Sequence, residues 1–359
     1  MRRITTKYAQ PGMILGMPVY DNYGKELLGR RTNLNEQCLG IMARNSINEI
    51  FIEDQRVDDL VVASMVSPEK EGKLADAFRQ LMTSTRSSGG IDSAFLSAVN
   101  VAVTEIARSL IFSIMGEINV SYCVSLADYV YLQPVKSAIL AMALGYRMEK
   151  TMDELVILGM SSLLKDISCI FLPPGLMDKG APTIAETKII QEHPTRSYEL
   201  LMRFSEIKGE ITNVVLQHHE QWNGGGYPLG LKGEQISNYA QIIAAADIFS
   251  DLLVEHPGKE KCMSHVAIEY IMAISGDQLD PKLVEIFVRK IPAYPNGLTV
   301  KLNSGEIGIV SDPNLGFVAR PIIRVTYDLE KGNLKKPYDI NLAKSEYQRK
   351  LISKVLEYD

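Results

Sequence analysis

The residues best suited to chemistry in this sequence are two adjacent histidines, His218 and His219, among only five histidines in the chain. The apolar residues that precede the pair at helical spacing place His218 on an apolar face, and His219 is turned by about 100° from it. The two imidazoles can therefore address different edges of one pocket. For an isolated pair, a satisfied core histidine beside one that caps a carbonyl group is the more common arrangement.

Two aspartates in apolar surroundings favour a functional reading of the pair. Asp166 lies within Leu155–Phe171, and Asp247 lies within the apolar helix predicted at Gln241–Phe249. A carboxylate in such surroundings costs several kcal/mol unless it meets a cation or hydrogen-bond donors. Together with His193, the set offers carboxylate oxygens and imidazole nitrogens from separate helices, which suits iron, manganese or zinc. The spacing leaves open that each aspartate pairs with a lysine instead.

The organisation along the chain predicts a mainly α protein. Apolar residues recur at three- and four-residue intervals through the middle of the sequence, whereas the flanking regions alternate short apolar runs with turns. A terminal helix is expected at Ser345–Tyr358. The predicted segments are an N-terminal α+β module at 1–60, a linker helix at 61–90, a helical domain at 91–291 and a C-terminal β module with the terminal helix at 292–359.

Composition narrows the class of protein further. The 359 residues are 46% hydrophobic and 23% charged, which is typical of a globular chain, and the net charge of -5 argues against binding of long nucleic acid. Four scattered cysteines without metal-ligand spacing indicate free thiols in a reducing compartment. The apolar stretches are too short or too interrupted for a membrane span. We therefore expect a cytoplasmic protein; the oligomeric state is open, and a homo-oligomer is compatible with the sequence.

The string that follows the histidine pair carries a resemblance. Residues 218–233 read HHEQWNGGGYPLGLKG, and this stretch resembles the signature of the HD-GYP family. The resemblance extends from about Asp128 to Asp251, with weaker matches at residues 11–13 and 305–308. It implies a helical HD-superfamily bundle in which two or three metal ions, often iron or manganese, activate water to hydrolyse cyclic di-GMP to linear pGpG or GMP.

The resemblance also implies roles for individual residues. Asp166 would bridge two metal ions, His193, His218 and His219 would complete the site of one, and Asp247 would help to hold the other. Apart from the resemblance, the glycine-rich loop lacks side chains that would keep its backbone amides from phosphate, and two lysines are possible phosphate contacts. The candidate nucleotide-binding residues are Gly224, Gly226, Tyr227, Pro228, Lys232 and Lys259.

The sequence departs from the family pattern at several of the positions that matter most. Gln133 occupies the position of the first histidine ligand, and Lys165 that of the histidine in the HD pair. Cys169 occupies the position of the lysine in the HDxGK pattern, which would help to bind substrate phosphate. Asn223 replaces an aspartate, and an RPYK-like stretch reads HPGK at residues 256–259.

Two of these departures, Gln133 and Lys165, remove two ligands from one of the two metal sites, and the other site keeps its four. An ammonium group repels a divalent cation, and Lys165 can itself pair with Asp166 or Asp247. The carbonyl oxygen of Gln133 is a poor substitute for an imidazole. We therefore expect at most one divalent ion, iron, manganese or zinc, bound by Asp166 and the three histidines, and no second ion.

Three functions follow from this interpretation. The chain binds cyclic di-GMP or a related nucleotide without cleaving it, or it is a slow one-metal phosphodiesterase, or it is a scaffold whose loop contacts a partner such as a diguanylate cyclase (GGDEF) domain. We favour a cyclic di-GMP signalling protein with impaired catalysis, acting mainly by binding a ligand or partner. The alternative is a slow or active phosphodiesterase.

Overall fold

The structure is a computed structural model that describes residues 1–21, 23–60, 62, 66–112, 129–173, 176, 182–207, 209–254 and 262–357. The chain forms two compact units rather than a core with separate flanking modules. One unit combines Met1–Met65 with Val288–Asp359, and the other contains Val66–Ile114 and Leu126–Phe287. The two ends of the chain are joined by backbone hydrogen bonds such as that from Arg3 N to Gly297 O, at 2.8 Å.

The N-terminal part of the first unit is a small α+β arrangement. Strand β1 (Arg2–Thr5) pairs with β4 (Glu49–Ile52), and β2 (Val19–Tyr20) pairs with β3 (Glu26–Leu28). Helix α1 (Glu36–Arg44) begins after Asn35, whose side chain accepts a hydrogen bond from Cys38 N at 2.9 Å. Helix α1 and strand β4 give this part of the chain the mixed α+β character that its sequence pattern predicts.

The C-terminal part of the first unit is an antiparallel sheet. Its strands lie in the order β8-β7-β6-β5-β9. Their bounds are β5 Thr299–Leu302, β6 Ile307–Asp312, β7 Ile322–Asp328, β8 Gly332–Asn341 and β9 Ile352–Leu356.

The prediction of a terminal helix at Ser345–Tyr358 is wrong. A short 3-10 helix covers only Ser345–Tyr347, and β9 follows it. The physical reason is the free edge of β5, whose backbone groups need partners and obtain them from β9, with Val300 opposite Val355. Pairing across the sheet outweighed the helical spacing of the apolar residues.

The second unit is the helical bundle that the sequence predicts. Its helices are α2 Pro68–Ser88, α3 Ser93–Phe112, α4 Tyr129–Arg147, α5 Met152–Leu164, α6 Ile184–Gln191, α7 His193–Leu201, α8 Gly209–Gln217, α9 Asn238–Leu252, α10 Ser264–Ala273 and α11 Pro281–Lys290. Helix α4 packs against α5 and α9, and α8 packs against α5 and α7. These contacts bring the ends of α5, α7 and α8 together.

Helices α2 and α3 belong to this bundle. We expected α2 to be a linker, but it buries Leu74, Phe78 and Leu81 and packs on α3, which makes it a bundle helix. Helix α3 has the length and apolar composition of a membrane span, although one of its faces, which includes Val103 and Ile106, is fully buried in the protein.

Candidate metal centre

Four side chains converge where α5, α7 and α8 end or begin. The ligand atoms of Asp166, His193, His218 and His219 all lie within 4.8 Å of one another. His193 Nε2 is 3.0 Å from Asp166 Oδ1, and His218 Nε2 is 3.4 Å from the same oxygen. The two Nε2 atoms are 3.2 Å apart. The structure thus brings together the set that the sequence predicts for one metal ion.

The orientation of two imidazoles fits a cation. His193 Nδ1 lies 2.6 Å from Ile190 O, and His218 Nδ1 lies 2.7 Å from Val215 O. A carbonyl oxygen only accepts, so each Nδ1 carries a proton, and in that tautomer the lone pair of each Nε2 points toward the other ring. Two acceptors at this separation require a positive partner. Tetrahedral ligands at about 2.0–2.1 Å from a metal are about 3.4 Å apart, which matches these distances.

Burial keeps the imidazoles in the form that binds metal. It lowers the pKa of His218, and together with the neighbouring imidazoles it holds the pKa of His219 well below the ordinary value. The His219 ring stacks on Tyr227, with centroids 4.7 Å apart and planes at 22°. A neutral imidazole is the species that ligates a metal ion.

The other oxygen of Asp166 faces an ammonium group. Lys165, which is 3% exposed, forms ion pairs with Asp166 Oδ2 and, at 3.1 Å, with Asp247 Oδ2. Burial alone would lower the pKa of Lys165, but the two carboxylates outweigh it and raise that pKa. Burial would likewise raise the pKa of Asp166, yet the adjacent charge of Lys165 holds that pKa well below the usual range. Lys165 and Asp166 therefore remain charged.

Gln133 completes this second half of the centre. Its Nε2 donates to Asp247 Oδ1 at 3.1 Å and to Ser250 Oγ at 3.4 Å. The amide nitrogen rather than the carbonyl oxygen thus faces the carboxylate, so the side chain is oriented as a donor and not as a metal ligand. The carboxylate of Asp247 is thus bound by Lys165 and Gln133. In the family pattern the same carboxylate would bind a metal ion.

The loop after the histidine pair is held by Glu220, a residue that the sequence analysis did not single out. Glu220 is 2% exposed, and its carboxylate accepts from Leu229 N at 2.6 Å and from Leu231 N at 2.8 Å. A Cβ at Gly226 would overlap backbone atoms of the preceding residues, so glycine is required there. The sequence signal that could have identified Glu220 is a charged residue directly after two histidines in an apolar setting.

Several amides of the loop are engaged within the loop. Gly224 N donates to Gln221 O at 2.8 Å, Gly225 N to Asn223 Oδ1 at 2.6 Å, and Tyr227 N to a carbonyl at 3.2 Å. These bonds weaken the expectation that the backbone of the loop cradles phosphate.

The remaining residues predicted to contact ligand lie in different surroundings. Tyr227 is half-buried beside the imidazoles, while Pro228 and Lys232 are exposed. Cys169 is half-buried, and burial followed by the charge of Asp166 raises the pKa of its thiol, which stays neutral. The predictions for Lys259, and the start of the resemblance at Asp128, fall outside the described residues.

Comparison with known proteins identifies the class. Residues 126–283 match the family model described as an HD domain. A solved structure of Bd1817, an HDG"Y"P protein from Bdellovibrio bacteriovorus, superposes with a TM-score of 0.50 at 14% identity and covers 80% of this chain and 97% of that one. This region of the chain is an HD domain, and the helical-bundle fold is confirmed.

Curated relatives place the domain more closely. The chain is 29% identical over 201 residues to the cyclic di-GMP phosphodiesterase PA4108 of Pseudomonas aeruginosa, which covers 56% of this chain and 48% of the relative. It is 37% identical over 142 residues to the cyclic di-GMP phosphodiesterase response regulator RpfG of Xanthomonas campestris pv. campestris, covering 38% of this chain and 37% of the relative. The chain thus matches about half or less of the length of these relatives. The resemblance to cyclic di-GMP phosphodiesterases of the HD-GYP type that the sequence indicates is confirmed.

Proposed function

We propose that this chain is a signalling protein that binds a cyclic dinucleotide at the HD-domain centre, holds one divalent metal ion there, and hydrolyses the nucleotide weakly or not at all. The observation that carries the proposal is that the two oxygens of the Asp166 carboxylate face different partners. Its Oδ1 faces the imidazoles of His193 and His218, and its Oδ2 faces the ammonium group of Lys165. One side is built for a metal ion, and the other already holds a cation.

The charge of this centre supports binding of a phosphodiester. A divalent ion bound by Asp166 and the histidines would polarise phosphoryl oxygens and lower the pKa of a coordinated water. Lys165 supplies a further positive charge, so one ammonium and one divalent ion exceed the charge of the two carboxylates. The centre keeps its attraction for an anionic nucleotide. Lys165 has no lone pair while protonated and cannot activate water as a second metal ion would.

The class of nucleotide is supported by the relatives. They include proteins named cyclic di-GMP phosphodiesterases and the 3'3'-cGAMP-specific phosphodiesterase 2 of Vibrio cholerae, which is 31% identical over 130 residues. Their shared chemistry is a cyclic dinucleotide. In this chain Tyr227 and Lys232 are the described residues that we assign to its recognition, and we expect Lys259 to assist. Such a ligand fits the cytoplasmic location expected from the sequence.

A slow one-metal phosphodiesterase is the second candidate. It is favoured by the complete cluster of Asp166 and three histidines beside Tyr227, because a single divalent ion can still activate a water molecule. The product would be pGpG or GMP. Contact of the exposed end of the loop with a GGDEF domain is compatible with either candidate, since Leu229 is 55% exposed.

Calorimetric titration of the manganese-loaded full chain with cyclic di-GMP and with 3'3'-cGAMP, followed by chromatography of the nucleotides, tests the proposal. We expect saturable binding of one of them and little or no linear product over hours. Rapid conversion to pGpG or GMP would contradict impaired catalysis. Failure of both nucleotides to bind would contradict the proposed ligand.

A further inference from the structure

A chain of buried hydroxyl groups links two of the metal ligands. Ser168 N donates to Ser197 Oγ at 3.2 Å, Ser197 Oγ donates to Ser168 Oγ at 2.9 Å, and Ser168 Oγ donates to His193 O at 3.0 Å. All three residues are buried. Each hydroxyl therefore accepts one hydrogen bond and donates another in a consistent direction.

The two serines lie close in sequence to two of the proposed metal ligands. Ser168 lies two residues after Asp166, in the 3-10 helix Ile167–Phe171, and Ser197 lies one turn after His193 in α7. The hydroxyl chain ties the backbone that carries Asp166 to the backbone that carries His193. The distance between Asp166 Oδ1 and His193 Nε2 thus depends on it.

We propose that Ser168 and Ser197 are positioning residues for the metal ion. They hold Asp166 Oδ1 and the imidazole of His193 at metal-binding distance against the pull of Lys165 on the other oxygen of the carboxylate. The inference rests on the proposed single metal site. Groups that orient ligands in this way contribute about 10- to 100-fold to metal affinity.

The link depends on a residue that the HDxGK pattern does not contain. Ser168 stands where the HDxGK pattern has its glycine, and a glycine carries no hydroxyl to bond the His193 carbonyl. The serine therefore accompanies the replacement of a metal ligand by Lys165, three positions earlier. With an ammonium group on one side of Asp166, the backbone link keeps the other side of the carboxylate in place for the imidazoles.

The test is metal affinity of the full chain, measured for Zn²⁺ and Mn²⁺ by competition with a chromophoric chelator. Ser168→Ala removes the bond to His193 O, and Ser197→Ala breaks the link between the two serines. We expect each to weaken metal binding by about tenfold or more. Ser162→Ala is the matched control, because Ser162 is also buried and its hydroxyl donates to a second buried serine, Ser137, at 3.4 Å. We expect the control to bind metal as the wild type does.

The outcomes separate the two proposals. Wild-type affinity in Ser168→Ala, with the metal still bound, would overturn the positioning role and leave the single metal site intact. Absence of metal binding in the wild type would overturn both. An equal loss of affinity in Ser162→Ala would show a general effect of buried serines and would also overturn the role. Thermal unfolding of each metal-free variant distinguishes a loss of ligand geometry from a loss of fold, and Ser168→Ala carries the test if Ser197→Ala does not fold.

Discussion

The two sides of the Asp166 carboxylate are suited to two different kinds of cation. On one side, hydrogen bonds from His193 and His218 to backbone carbonyls leave unprotonated nitrogens facing inward. On the other, Lys165 and Gln133 turn N–H donors toward carboxylate oxygens. The histidine side presents lone pairs that can bind a metal ion. The side of Lys165 and Gln133 presents N–H groups that already satisfy the carboxylate oxygens.

The comparison teaches that a bridging carboxylate needs two positive neighbours but does not need two metals. An ammonium group satisfies the charge of Asp166 and Asp247 without offering a coordination site. Binding of an anion and activation of water are then separated, because the first depends on net charge and the second on metal coordination.

Restoring the family residues should give the largest effect, because it makes the two sides alike. In Gln133→His, Lys165→His and Cys169→Lys combined, we expect metal content to rise from one ion to two per chain. Hydrolysis of cyclic di-GMP should rise on the order of a thousandfold, since a metal ion stabilises phosphoryl charge by several kcal/mol. Elemental analysis and product chromatography check both; Cys169→Lys alone is the control. Unchanged hydrolysis with two bound metals would point to a wider reshaping of the pocket.

Removing the ammonium should be the next largest effect. Lys165→Met leaves two carboxylates without their shared cation, and breaking a buried ion pair on one side costs about 3–5 kcal/mol. Denaturant unfolding of the metal-free protein measures the loss. Lys73→Met, at an exposed i,i+4 pair with Glu69, is the control and should change stability little. Equal stability of Lys165→Met and the wild type would refute the role of Lys165 as the internal cation.

Substitution of a histidine on the other side of the carboxylate should lower the affinity for metal more than it lowers stability. In His193→Ala we expect metal affinity to fall by more than about 100-fold, since even the partners of ligands contribute 10- to 100-fold. Chelator competition measures it, with His265→Ala on α10 as the control histidine. If His193→Ala lowered stability but kept its metal, the histidines would be structural rather than ligating.

The smallest effect concerns the loop beside the centre. Glu220→Gln weakens the acceptor for Leu229 N and Leu231 N, and we expect a loss of about 1–3 kcal/mol in unfolding free energy. Fluorescence of Trp222, the single tryptophan, should report the change in the loop. Glu234→Gln, at an exposed position, is the control. An unchanged unfolding free energy would show that the loop holds its shape without Glu220.

Sequence motifs predicted the helical bundle and the cluster of Asp166 with three histidines, because helical spacing and rare residue types are local signals. What they missed depends on partners distant in sequence. β9 exists because β5 offers a free edge, and Gln133 acts as a donor because Asp247 lies opposite. The link between Ser168 and Ser197 depends on the packing of α7 beside the segment after α5, and serines are too common to signal it.

Anomalous X-ray diffraction from crystals of the full chain grown with Mn²⁺ or Zn²⁺ tests the central claim most directly. The account predicts one anomalous peak, about 2.0–2.2 Å from Asp166 Oδ1 and from the Nε2 atoms of His193 and His218, with Lys165 still bonded to Asp166 and Asp247. A second peak between Asp166 and Asp247, with the Lys165 side chain displaced, would contradict it.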